Sequence, residues 1–88
     1  MVMYRIVFSS RAAKDRKLLK QAGFERRAKA LLSVIAENPF KTPPPYEKLV
    51  GDLSGFYSRR INIQHRIVYQ VYKEELTVKI LTMWGHYE

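Results

Sequence analysis

The side chains best suited to chemistry in this 88-residue chain are three arginines, a glutamate, two histidines and the penultimate tyrosine. Arg59 and Arg60 stand together and Arg66 follows, with no carboxylate between Leu53 and Tyr72 to neutralise them. An arginine presents a planar fork that grips two phosphate oxygens at once and keeps its charge. An imidazole such as that of His86 can donate a proton to a leaving oxygen near neutral pH. Glu47, the only acid between Glu37 and Asp52, could accept a proton from a ribose 2′-hydroxyl. Tyr87 could stack on a base, and His65 could be either a turn residue or an RNA contact. Together these groups could bind a phosphodiester and move protons around it. Each also has an ordinary reading: a strand arginine is commonly solvated or ion-paired, a loop glutamate aids solubility, and a late histidine often does nothing. Two histidines and scattered acids show no ligand spacing, so neither a metal nor another cofactor is expected.

These residues need a scaffold that brings them together. Met3 to Phe8 is rich in β-branched and aromatic types, and Tyr4, Ile6 and Phe8 alternate onto one face of a strand. Ser9 or Ser10 can cap a helix that runs to about Ala22, where Gly23 breaks it. In a second helix, Phe24, Ala28, Leu31, Leu32 and Ile35 form one apolar stripe, ended by Asn38-Pro39. Thr42-Pro43-Pro44-Pro45 is a stiff connector that fixes where Tyr46 and Glu47 begin. Three strands follow, at Phe56 to Asn62, Arg66 to Tyr72 and Leu76 to Met83. Ser58 and Arg60 share one face of the first of these, and Tyr57, Arg59 and Ile61 the other. Ile67, Tyr69 and Val71 suit the core, which leaves Arg66 and Gln70 pointing to the open side. The expected fold is α+β with the order β-α-α-β-β-β, two helices covering one face of a twisted, mainly antiparallel sheet.

Residues 1–88 suit one domain, and a hydrophobic fraction of 47% excludes a disordered chain. Cysteine is absent, and no apolar run approaches the roughly 20 residues that span a bilayer. A cytoplasmic protein with no membrane partner is the economical expectation. Sixteen Lys and Arg against eight Asp and Glu leave a formal charge of +8, which favours a polyanion such as nucleic acid. A solvated basic face, or a docking face for an acidic protein, would read the same way. Eight of the basic residues, Arg11 to Lys29, lie on the two helices, where such a run is commonly just the wet side of an amphipathic pair.

Three strings in order are more specific than any of this: Leu53-Ser-Gly-Phe-Tyr-Ser-Arg-Arg-Ile61, His65-Arg-Ile-Val-Tyr69, and His86-Tyr87. They resemble the YoeB/Txe toxins of bacterial toxin–antitoxin systems, within the wider RelE superfamily of small ribonucleases. The resemblance implies a RelE-like, microbial-ribonuclease-like fold and metal-independent cleavage of mRNA in the ribosomal A site. There the 2′-hydroxyl attacks the adjacent phosphate and a 5′-hydroxyl leaves. It implies Glu47 as general base, Arg60 and Arg66 on the phosphate, His86 as general acid and Tyr87 beside it. Arg59, Tyr57 and His65 are expected to bind substrate, Tyr57 standing where an indole is frequent. The implied partners are the ribosome with its mRNA, an antitoxin whose disordered acidic C-terminal segment covers the site, and a second copy of the chain as a homodimer. Two rivals keep the fold: a ParE-type poison that binds DNA gyrase, and a degenerate module that holds RNA without cutting it.

Overall fold

The chain turns from strand to helix at Ser9, and one hydroxyl makes the turn. Ser9 Oγ accepts from the Ala12 amide (3.0 Å) and donates to the Leu81 carbonyl (2.8 Å). The first contact caps a helix whose leading amides lack partners, and the second ties that cap to the far end of the sequence. The computed structural model describes residues 3–51 and 55–85. In it the first strand β1 is Arg5–Phe8, and the capped helix α1 is Ser10–Gln21. Gly23, at φ +86°, ends α1 in a left-handed residue, with its amide on Lys20 O and the Phe24 amide on Leu19 O. Those two bonds satisfy carbonyls the helix would otherwise leave bare, and glycine adopts the conformation without steric cost.

Helix α2, Glu25–Glu37, buries Ala28, Leu31 and Ile35, the centre of the stripe expected from its spacing. It stops at Asn38, whose backbone is extended because proline follows. The remaining strands are β2 (Glu47–Lys48), β3 (Phe56–Arg60), β4 (Arg66–Tyr72) and β5 (Thr77–Thr82). They form one mixed sheet in the order β1-β5-β4-β3-β2, with β1 parallel to β5 and every other pair antiparallel. Ile67 and Tyr69 of β4 and Val78 and Ile80 of β5 meet Ala12, Leu19, Leu31 and Ile35 of the helices in one core. Tyr4, Ile6 and Phe8 pack against it from the sheet edge. Both helices thus cover one face, as the periodicity implied, and the other face is left for function. No helix among the described residues is long and apolar enough to cross a membrane.

Three departures are instructive. Strand β2 is an addition to the expected order: two exposed residues carry no hydrophobic period, and they become a strand only by pairing with β3. Strand β5 begins at Thr77 because Leu76, at φ +49°, belongs to the turn. Between Val68 and Tyr69 the register against β5 slips by one, passing over Leu81. A bulge of this kind leaves one residue outside the ladder, and the Leu81 carbonyl is the one that accepts from Ser9.

Candidate active site

In an antiparallel pair, residues directly opposite each other project to the same face. Arg60 lies opposite Arg66, and Glu47 lies opposite Ser58. Because Ser58 and Arg60 are two apart on β3, all four side chains emerge on the face away from the helices. With Pro45 they line a depression of about 230 Å³. At its centre, Arg66 Nη1 lies 3.3 Å from Glu47 Oε2 and donates to Ser58 Oγ at 3.2 Å. The Arg66 side chain is 16% exposed and that of Glu47 64%. An ion pair so open to water adds little stability; what it fixes is geometry. A cation is held against the sheet with a carboxylate beside it, and a second cation, Arg60, stands opposite and exposed. Two forks on neighbouring strands can hold a phosphodiester from two sides, and the carboxylate can accept a proton from a hydroxyl seated on it.

Of the residues expected to bind or act on a substrate, Glu47, Arg60 and Arg66 are brought together. Arg59 is not. Only 1% exposed, it donates from Nε to Tyr69 Oη (3.1 Å), from Nη1 to Pro44 O (2.6 Å), and from Nη2 to Pro39 O (3.0 Å) and Lys41 O (2.7 Å). Its donors are committed inside the protein, so the expectation that it touches substrate is corrected: strand alternation sends it to the opposite face from Arg60. Tyr57 points the same way as Arg59. Its ring joins those of Phe40 (5.1 Å between centroids), Tyr46 (5.9 Å) and Tyr69 (5.9 Å), away from the depression. In that layer Tyr69 donates to Pro39 O at 2.8 Å. Burial pushes the Tyr69 phenol above its ordinary pKa of 10.0, opposed in part by the hydrogen bond and charge of Arg59.

His65 is likewise corrected from an RNA contact to a packed residue, 3% exposed. Its imidazole stacks on Trp84 with ring centroids 4.0 Å apart and 23° between planes. Its Nδ1 accepts from the Gly85 amide at 2.8 Å, while the Arg66 amide donates to Gly85 O at 3.2 Å. His65, just before β4, and Arg66, its first residue, therefore clasp Gly85 from both sides. His86 and Tyr87, the expected acid and its neighbour, lie outside the described residues. Ser58, which braces Arg66, was not among the expected site residues, although its alternation with Arg60 was there to be read.

A family model described as a YoeB-like toxin of bacterial type II toxin–antitoxin systems matches residues 7–87. A toxin named YoeB from Streptomyces coelicolor is 42% identical over 67 residues, 76% of this chain and 73% of its own. The structure of a YoeB dimer from Staphylococcus aureus superposes with a TM-score of 0.82 at 35% identity, over 97% of this chain and 99% of that one. A YoeB–YefM complex from the same organism gives a TM-score of 0.80 at 36% identity, over 96% of this chain and 98% of that one.

Proposed function

The chain belongs to the YoeB-like toxins of bacterial type II toxin–antitoxin systems, and from that membership we propose that it is an endoribonuclease that cleaves mRNA in the ribosomal A site. Side chains, rather than a metal, move the protons. A ribose 2′-hydroxyl passes its proton to Glu47 and attacks the adjacent phosphorus. Arg60 and Arg66 hold the phosphate and the charge that builds on it. The bond from phosphorus to the 5′-oxygen breaks, and His86 protonates that oxygen, with Tyr87 orienting the substrate. The products are a 2′,3′-cyclic phosphate and a 5′-hydroxyl end.

One observation carries the reading: Arg66 lies 3.3 Å from the Glu47 carboxylate and directly opposite Arg60, on the face the helices leave open. A charge of +8 supports a ribosomal, RNA-rich target and also an antitoxin that covers the site with an acidic segment. A YoeB relative assembles with YefM and another as a dimer, which supports an antitoxin partner and a homodimer here. Acting on ribosomes would place the protein in the cytoplasm.

The test is cleavage of a defined mRNA on purified ribosomes. The wild type should release fragments with 5′-hydroxyl ends, Glu47→Gln should slow this by about 10²- to 10⁴-fold, and Arg66→Ala should abolish growth arrest at matched expression. Intact mRNA together with inhibited gyrase supercoiling would overturn the proposal in favour of a gyrase poison. Bound but uncut RNA, without toxicity, would overturn it in favour of a degenerate module.

A further inference from the structure

Strand β2 has only two residues, both exposed, too few to define their own position. The segment before it contains Pro39, Pro43, Pro44 and Pro45. A proline has no N–H, so such a segment is tied chiefly through its carbonyls. The Phe40 and Lys41 amides turn back onto Asn38. What crosses to the sheet is the Tyr69 hydroxyl, donating to Pro39 O, and one guanidinium that reaches three carbonyls. Arg59 meets no carboxylate among the described residues; its buried fork is met by the carbonyls of Pro39, Lys41 and Pro44, the Tyr69 hydroxyl and the face of Tyr46 at 5.3 Å. Arg59 follows Ser58, and Ser58 is the register partner of Glu47. The residue that grips the proline segment from below is therefore adjacent to the one that pairs with its end above.

We infer that Arg59 is a positioning residue for Glu47: by binding the carbonyls of residues 39–44 as an internal cation, it sets where the carboxylate stands beside Arg66. The inference rests on Glu47 being the proton acceptor. Lysine cannot replace the fork, because an ammonium is a point charge on a single stem, whereas the carbonyls approach the guanidinium from separate directions. A displacement of about 1 Å at a reacting group can cost on the order of 10²-fold in rate.

A kinetic cycle on ribosome-bound mRNA tests it, with wild type, Arg59→Lys, Glu47→Gln and the double variant. Arg59→Lys should fold by circular dichroism and lower kcat about 10²-fold, with KM little changed. In the Glu47→Gln background the same substitution should have almost no further effect, since the group it positions is already disabled. An equal loss in both backgrounds would overturn the inference while leaving the role of Glu47 intact. If Glu47→Gln alone cleaves at the wild-type rate, the underlying assignment of the base has failed instead. Should Arg59→Lys not fold, Tyr69→Phe, which removes one of the acceptors of the fork, runs the same cycle: a loss confined to the Glu47 background supports the inference, and an equal loss in both overturns it.

Discussion

Removing a single oxygen from Tyr69 should weaken the protein at neutral pH and relieve it of a weakness at alkaline pH. The hydroxyl is buried, accepts from Arg59 Nε at 3.1 Å and donates to Pro39 O at 2.8 Å. In Tyr69→Phe, Pro39 O keeps its bond from Arg59 Nη2, so that loss falls near the low end of a neutral hydrogen bond, about 0.5–1 kcal/mol. Arg59 Nε, on a charged group, is left without its acceptor, which costs about 1.5–2 kcal/mol more. A total of about 2–3 kcal/mol leaves most domains of this length folded, since 88 residues suggest about 4–13 kcal/mol in all. It should lower Tm by about 10–20 °C. The pH dependence follows from burial raising the Tyr69 pKa above 10.0. Between the unfolded and folded values the native state keeps a proton that the unfolded chain releases. Stability from the neutral phenol is complete below about pH 10 and lost as pH rises through the folded pKa, at up to about 1.4 kcal/mol per pH unit. The phenylalanine variant has no such loss, so the gap between the two proteins should narrow above pH 10. Urea unfolding of both from pH 7 to 11 measures it. A neutral-pH difference under about 0.5 kcal/mol, or a gap that stays constant with pH, would refute the reasoning.

Other perturbations follow from single contacts. Asp15 is buried on α1 and accepts from the Met83 amide at 2.9 Å, so Asp15→Ala should cost about 2–3 kcal/mol in urea unfolding. Asp15→Asn keeps a carbonyl acceptor and should recover more than half of that. His65→Phe retains a ring against Trp84 but strips the Gly85 amide of its acceptor; exchange of that amide with solvent should speed up about tenfold by NMR. Gly23→Ala has free space around the added methyl, yet φ +86° should still cost about 1–2 kcal/mol, read as a lower Tm by calorimetry.

The helices and the strands of the C-terminal meander were legible because their signals are local. Ser9 caps, Gly23 terminates, Asn38 precedes a proline, and the stripe on α2 repeats at the helical period. Alternation likewise separated Arg66 from the core set around Tyr69 and put Arg60 on the face opposite Arg59, without saying which of that pair is buried. The two-residue strand carrying Glu47 had no such signal, since a Glu-Lys pair reads as loop until a partner strand supplies its hydrogen bonds.

Arg59 and Arg60 mark the boundary most sharply. By itself the amino-acid order determined that two adjacent identical side chains must leave a strand on opposite faces, with a third arginine on the next strand. Which arginine would meet solvent and which would be sealed beneath the sheet was decided by carbonyls 15 to 20 residues earlier in the chain. The same holds for His65, whose fate depends on the Gly85 amide 20 residues later. Burial of a charged or titratable group depends on acceptors delivered by distant segments, and only the folded arrangement brings those segments within a hydrogen bond of it.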